Sequence, residues 1–493
     1  MRSTNAWYRD AKLGIEFHWG PASVAAFSSS EERSVAEILR EDGWQKLFEN
    51  HPDGRWYLNS LRVGRTEAIE HHKRRFSSGV TYEQIAARFN ADLQQWDPAE
   101  WVDLCKEAGA RYVVLAAKDP DGYLLWPSMK PAAQQERMAT RDVVADLGEA
   151  VRRAGLRYGL AYSALLDWSH ESTAVRTYRD IDELSRINER AELIETHCHE
   201  LVERYNPDLL RTELGLSVAA SVGRIRGVLR RHVDDALLVG LWRPPGSRLT
   251  AFLPPLLAVP VNAGLMRKWL TEMSPRPGSH GVSVAARVPR RIRRRQWEFV
   301  CPLTRSLVYS EGAETAAVPT GEQLVHLLVD VISRNGNLLI SIGPRPDGSI
   351  PGSQKRALVD LAMWLRKHGE AVYGTRPWHV AEGKTDCGLP VRFTTSENTL
   401  YCVVLGRSST LSLTLRGVDV RRVPETRQAR RERYELVVSL VGYDYPVESS
   451  VSRESVSVNI PGSYIPGAAT VVKIAWEPPV KAARSAGFFT DVV

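Results

Sequence analysis

The chain has 493 residues, 43% of them apolar and 8% aromatic, with 65 Lys and Arg against 58 Asp and Glu for a formal charge of +7. That length exceeds one ordinary domain and fits a barrel of roughly 250 to 350 residues with a second module. The composition is that of a soluble globular protein, and the apolar stretch Leu253 to Met266 is too short and too Pro-rich, with Pro254, Pro255 and Pro260, to span a bilayer.

At the N-terminus, Arg9, Asp10, Lys12 and Glu16 interrupt what would be the apolar segment of a signal peptide, so the expectation is a cytoplasmic protein. A first strand ends at His18. A helical segment beginning near Pro98 leads to the strand Val113 to Ala117, and a helix pattern from Asp142 to Ala154 leads to the strand Leu156 to Ser163. A long charged helix from about Val175 to Tyr205 feeds Asp208 to Leu214; Asp235 to Trp242 and Asn337 to Ile342 complete the apolar β-type runs. Such alternation argues for a parallel sheet with crossover helices, best solved as a closed (β/α)8 barrel.

After Pro377 the pattern changes to short β-rich runs split by Gly, Pro, Asn and Ser: Leu389 to Phe393, Thr399 to Leu405, Leu411 to Leu415, Tyr434 to Leu440 and Thr470 to Trp476. These read as a small all-β sandwich. The expected organisation is an α/β barrel over 1–376, a sandwich over 377–478 and a loosely held tail over 479–493.

Five scattered cysteines (Cys105, Cys198, Cys301, Cys387 and Cys402) show no metal spacing and are expected as free thiols. Arg287 to Arg295 holds six arginines, and Arg421 to Arg433 is nearly as basic. These read as a solvated face, with an anionic ligand site or acidic carrier protein as the functional alternative. No nucleic-acid recognition motif accompanies them. His197 and Glu200, three apart on a helix, share a face and are expected on a solvated surface.

Function in a barrel sits at the C-terminal ends of the strands, and side chains two apart on a strand share a face. Glu16 and His18 should therefore both point inward, as should Arg211 and Glu213. A buried carboxylate such as Glu16 needs a cationic partner.

Two stretches carry a family resemblance. One is Trp7-Tyr8-Arg9-Asp10-Ala11-Lys12-Leu13-Gly14-Ile15-Glu16-Phe17-His18-Trp19-Gly20. The other is Asn335-Gly336-Asn337-Leu338-Leu339-Ile340-Ser341-Ile342-Gly343-Pro344. Together they resemble glycoside hydrolase family 29, the α-L-fucosidases, and the likeness is strongest from Leu324 to Trp378. The resemblance implies a (β/α)8 catalytic barrel, and a retaining hydrolase that requires neither cofactor nor metal.

Residue by residue, the resemblance implies an altered site. His18-Trp19-Gly20 keeps the sugar-binding first-strand motif. Arg55-Trp56-Tyr57 resembles E-W-Y, with Arg55 in place of the sugar-binding Glu. Lys118-Asp119-Pro120-Asp121-Gly122-Tyr123 resembles K-H-H-D-G-F, with Asp119 and Pro120 replacing the two His that grip the sugar ring; Leu125-Trp126-Pro127-Ser128 follows. Tyr162 retains one Tyr of F-G-L-Y-Y-S. Asn206-Pro207-Asp208-Leu209-Leu210-Arg211-Thr212-Glu213 resembles the nucleophile strand, with Glu213 on the nucleophile Asp and Arg211 on a Trp. The acid/base is a loop Glu before a W-E pair, here Trp297-Glu298, and Glu272 is the carboxylate available for it.

The expected catalytic residues are thus Glu213 and Glu272, with His18, Trp19, Arg55, Trp56, Asp119, Asp121, Trp126, Tyr162 and Arg211 binding substrate. A divergent glycoside hydrolase acting on a glycosylated small molecule follows, its ligand sugar-like and either anionic or an amino sugar. The alternatives are a catalytically inactive pseudo-glycosidase that binds a ligand or partner, and a slow α-L-fucosidase.

Overall fold

The computed structural model describes residues 6–477 except 28, 32, 34–36, 39–40, 78, 130–136, 170–173, 185, 214–219, 241–281, 286–287, 315–316, 407–411, 417–434, 453–454 and 462–466. The chain divides into two compact units, Met1–Arg366 and Lys367–Val493.

The first unit is built on eight strands: β1 (Leu13–Phe17), β2 (Tyr112–Lys118), β3 (Arg157–Ser163), β4 (Leu209–Glu213), β5 (Leu237–Val239), β6 (Ser283–Ala285), β7 (Trp297–Pro302) and β8 (Gly336–Ile342). Their spatial order, β5-β4-β3-β2-β1-β8-β7-β6, is the chain order run around a circle, and every pairing is parallel. A parallel bridge from Val239 to Val282 joins the two edges, with the Gly240 amide donating to the Val282 carbonyl at 3.3 Å. The fold is therefore a closed (β/α)8 barrel.

Every residue of β1, β2 and β8 is buried, as expected of parallel strands covered on both faces. One parity faces the helices. Phe17 stacks on Trp101 of the helix Pro98–Glu107, with ring centroids 4.2 Å apart and planes at 15°. That helix starts where Pro98 presets the backbone and the Asp97 carboxylate accepts from the Ala99 amide at 2.8 Å. The other parity, Gly14 and Glu16, faces the barrel interior. A Cβ at Gly14 would lie 2.4 Å from the Tyr112 ring, so glycine here makes room for an aromatic inside the barrel. Tyr8, Tyr112, Val114, Ala116, Ala161, Leu209, Leu237, Val239 and Leu339 pack together there.

Two sequence expectations are corrected. The single helix expected over 175–205 is two, Tyr178–Leu184 and Asn188–Tyr205, parted by a turn in which the Arg186 amide donates to the Glu183 carbonyl. His197 does not face solvent: it is fully buried and lies 2.9 Å from the Tyr162 hydroxyl, because that helix face packs onto the barrel. The cysteines are free thiols, with Cys105, Cys198, Cys301 and Cys402 buried and Cys387 exposed. Among the described residues, no helix is long and apolar enough to cross a membrane.

The second unit is a β-sandwich of two antiparallel sheets. The larger has the order β13-β16-β11-β10-β9, from β9 (Arg376–Lys384), β10 (Pro390–Ser396), β11 (Thr399–Leu405), β13 (Glu435–Leu440) and β16 (Ala469–Glu477). The smaller has the order β12-β15-β14, from β12 (Ser412–Arg416), β14 (Ser449–Val451) and β15 (Ser455–Asn459). Alternate residues such as Val391, Phe393, Leu400, Cys402, Val456, Val458, Val472 and Ile474 form its core. Residues 369–371, ahead of the first strand, bond to this unit: Thr394 Oγ1 donates to the Ala371 carbonyl at 2.8 Å and Tyr401 to the Glu370 carboxylate at 3.1 Å.

Candidate active site: a layered charge network at the C-terminal ends of the strands

The parity of β1 carries Glu16 and then His18 up the barrel interior, and the His18 amide is held by the Ile342 carbonyl at the end of β8. A bulge between Ala116 and Lys118 ends β2 and aims Asp119 at the same place. Arg211 and Glu213 come up β4 on one face. Arg55 arrives from a short 3-10 helix, Gly54–Trp56, whose preceding residue Asp53 accepts from the Arg55 amide at 3.0 Å.

These residues meet in layers. Deepest is Glu298, fully buried on β7, accepting from the hydroxyls of Tyr8 at 2.6 Å and Tyr112 at 3.0 Å. Above it, Arg211 Nη1 donates to Glu16 Oε1 at 2.7 Å and lies 3.9 Å from Glu298. Ser341 donates to the other oxygen of Glu16 at 2.9 Å. His18 comes next, with Nε2 at 3.3 Å from Glu16 and 3.9 Å from Glu213, and Nδ1 at 3.1 Å from Asp119. In the uppermost layer, Arg55 Nη1 bridges Glu213 Oε2 at 2.9 Å and Asp119 Oδ1 at 3.2 Å, while its Nε donates to Asp53 at 2.8 Å. Arg211 Nη2 reaches the second oxygen of Glu213 at 3.5 Å. Only 7–8% of the side chains of Arg55, Asp119, Arg211 and Glu213 meets solvent, against none of Glu16 or His18.

Charge in this setting is self-consistent. Burial alone would raise Glu16, but Arg211 and His18 outweigh it and hold the carboxyl at about 2. Burial alone would lower His18, but Asp119, Glu213 and Glu16 lift it from 6.5 to about 10, so the imidazole is a cation at neutral pH. Asp121 is pushed up to about 6 by burial and by the nearby charge of Asp119. Glu298 is raised by burial against the opposing pull of Arg211.

Glu16, His18 and Glu213 offer donor atoms within 4.8 Å of one another, a spacing a metal ion could use. The set suits a metal ion poorly: a protonated imidazole has no lone pair to give, and Arg211 already holds Glu16.

Of the residues expected from sequence, His18, Arg55, Asp119, Arg211 and Glu213 are brought together. Asp121 sits behind Asp119, accepting from the Tyr82 hydroxyl at 2.5 Å and the Tyr123 amide at 3.1 Å. Trp56 stacks on His51 with centroids 4.2 Å apart, and the neighbouring Trp168 donates to the Arg55 carbonyl at 3.2 Å. Trp19 is buried among Phe89, Trp96 and Trp101 and donates to the Arg345 carbonyl at 2.7 Å. Trp126 packs edge-on against His197, and Tyr162 lies under the ammonium of Lys118. Glu272 lies outside the described residues, as does Trp242.

Sequence reasoning missed Asp53, Glu298 as a buried acid, and the Tyr8–Tyr112 pair that holds it. Asp53 was open to view as the acidic residue two before Arg55; the Tyr pair required knowing that Gly14 leaves space for Tyr112. The arginine-rich stretch also finds its place. Arg290 to Arg295 precede β7, and the Arg293 amide and carbonyl bond to Arg334 and Asn335 just ahead of β8. They therefore lie at the N-terminal ends of the strands, opposite the charge network, with Arg290, Arg291, Arg294 and Arg295 exposed.

Comparison with known proteins agrees with this architecture. The family described as Alpha-L-fucosidase matches residues 1–232 and 261–370. The tissue alpha-L-fucosidase of Rattus norvegicus is 26% identical over 408 residues, covering 81% of this chain and 76% of its own. An alpha-L-fucosidase of Branchiostoma floridae is 26% identical over 476 residues, covering 94% and 90%. The alpha-fucosidase structure from Thermotoga maritima superposes with a TM-score of 0.76 at 26% identity, over 96% of this chain and 97% of that one. With the closed barrel, the appended sandwich and a match spanning most of the first unit, the chain belongs to the alpha-L-fucosidase family of glycoside hydrolases.

Proposed function

We propose that this chain is a glycoside hydrolase with an altered substrate, acting on a glycosylated small molecule with Glu213 as its nucleophile. One observation carries the reading: Glu213 ends β4 in the uppermost layer of the network, with Arg55 at 2.9 Å from one oxygen and Arg211 at 3.5 Å from the other. A retaining glycosidase needs a carboxylate oriented toward the anomeric carbon and a second carboxyl about 5–5.5 Å away. Glu213 attacks the anomeric carbon as the acid protonates the departing oxygen. The resulting glycosyl ester is then hydrolysed by water that the same group deprotonates. We assign the acid/base role to Glu272.

Substrate binding falls to His18, Arg55, Asp119 and Arg211, with Trp19, Trp56, Asp121, Trp126 and Tyr162 shaping the surroundings. The substrate is altered because Asp119 and Pro120 stand where the family presents two imidazoles to the sugar ring. A site that loses hydroxyl partners loses selectivity for the sugar that needed them. Glu213 is also one methylene longer than the family's Asp, about 1.5 Å, and a misplacement near 1 Å can cost about 10²-fold.

A second reading is a pseudo-glycosidase that binds without turnover. It is favoured by Arg55, whose guanidinium engages Asp119 and Glu213 together. Assay of wild type and Glu213→Gln against a panel of aryl glycosides separates the two. Turnover lost in the variant while ligand binding survives supports the enzyme. Binding without turnover in either protein supports the pseudo-glycosidase.

A further inference from the structure

We propose that the substrate is an amino sugar whose ammonium replaces the Arg55 guanidinium between Asp119 and Glu213. This deepens the glycoside-site reading and rests on it, but does not require that Glu213 be the nucleophile.

The argument starts from what the site already holds. Arg55 is a cation with two separate attachments. Its Nε is fixed to Asp53 at 2.8 Å, and its Nη1 alone spans Asp119 and Glu213 at 3.2 and 2.9 Å. The guanidinium is one rigid plane, so an ammonium that takes the place of Nη1 turns Nε away from Asp53 as well. The Asp119 and Glu213 oxygens share one nitrogen, so they lie no farther apart than the two bonds end to end, about 6 Å. Two carboxylates that close repel when nothing cationic lies between them.

A neutral sugar entering this space would leave that repulsion in place. An ammonium restores the charge that Arg55 takes away and offers three donors to the same oxygens. The network strengthens the preference. In direct contact, Glu16, Asp53, Asp119 and Glu213 outnumber Arg55, Arg211 and His18 by four to three among the described residues. An anionic sugar meets that excess as repulsion. Asp121 already registers it, pushed up to about 6 by burial and Asp119.

A second observation points to a ligand. His18 Nε2 is fully buried and makes no hydrogen bond, although it faces Glu16 and Glu213. Its N–H is ion-paired with Glu16 at 3.3 Å without a well-aligned acceptor, and a sugar hydroxyl oxygen beside Glu213 would supply one. Ammonium at the Asp119–Glu213 pair and hydroxyl at His18 define a sugar bearing both groups.

Calorimetric titration of the wild-type chain at pH 7 tests this with three probes: methyl glycosides of amino-6-deoxyhexoses, with the amine at the 3 or 4 position, methyl α-L-fucoside and a methyl hexuronide. The expected result is that one amino glycoside binds at least tenfold tighter than the fucoside. N-acetylation of its amine should remove the advantage, and raised salt should reduce it. Asp119→Asn should narrow the preference, lowering amino-sugar affinity about tenfold more than fucoside affinity. Amino glycosides that bind no tighter than the fucoside, or not at all, overturn the proposal, as does tighter binding of the hexuronide. The wild-type comparison stands even where the variant fails to fold. Tight amino-sugar binding with turnover unaffected by Glu213→Gln would leave this inference intact and reject only the nucleophile assignment.

Discussion

Arg211 and Glu16 bear on each other more than on solvent. Glu16 is fully buried, and its Oε1 takes the Arg211 guanidinium at 2.7 Å. Removing one partner of such a pair leaves the other charge uncompensated, which costs about 3–5 kcal/mol. Arg211→Leu is therefore expected to lower stability by about that amount in urea unfolding, while Glu213→Gln, whose partners Arg55 and Arg211 keep Asp53, Asp119 and Glu16, should change it far less and act on turnover. His18 offers a direct check on the electrostatics. With its pKa lifted to about 10, the imidazolium should persist at pH 8, visible in ¹⁵N chemical shifts as two protonated ring nitrogens. A neutral ring at that pH would mean that the surrounding carboxylates are not charged as described.

Much of this layer was legible beforehand from parity alone. Residues two apart on a strand share a face, which put Glu16 with His18 and Arg211 with Glu213, and the cost of a buried charge demanded a cation for Glu16. What could not be read was which cation, since Arg211 and Glu16 are 195 residues apart and meet only because β4 and β1 curve round one barrel. Asp53 escaped notice because its role depends on the short 3-10 turn that directs Arg55 inward.

At the scale of elements, the strands explain why the network is layered. β1 has no side chain at Gly14, and the Tyr112 ring fills the gap and reaches down to Glu298. Gly14→Ala would set a methyl 2.4 Å from that ring. Such overpacking typically costs 1–3 kcal/mol, and thermal unfolding should show the loss. The bulge that closes β2 is equally specific, since it turns the chain so that Asp119 faces His18. Six of the eight barrel strands were visible in the alternation of apolar runs and helices, whereas β6 and β7, which follow the arginine-rich stretch, were not. The bulge was not, because nothing in Val113-Val114-Leu115-Ala116-Ala117 marks where register slips. The helix expected over 175–205 proved to be two for a related reason: a charged, helix-favouring run does not show where tertiary packing forces a turn.

Across the whole molecule, the charge network should shape stability against pH. Glu16 is held at about 2, below its ordinary 4.5, so its contribution is present above about 4.5 and lost as pH falls toward 2. His18 has the opposite sign. Raised from 6.5 to about 10, it contributes fully below 6.5 and that contribution is lost as pH rises through 10. Unfolding free energy should therefore fall between pH 6.5 and 10, and His18→Gln should flatten that slope; an unchanged slope in the variant would contradict the assignment. The same scale separates two basic features that sequence alone could not. Arg55 and Arg211 enter the network, whereas the exposed arginines of Arg290 to Arg295 lie at the other end of the barrel.

The most direct test is hydrolysis. Wild type and Glu213→Gln should be compared at high enzyme concentration on an aryl α-L-fucoside and on aryl glycosides of amino-6-deoxyhexoses. Aryl release from an amino glycoside by the wild type, faster than from the fucoside and reduced at least about 10²-fold in the variant, is the outcome expected of an activated carboxylate nucleophile. Release at equal rates by both proteins, or none from any substrate, would contradict it.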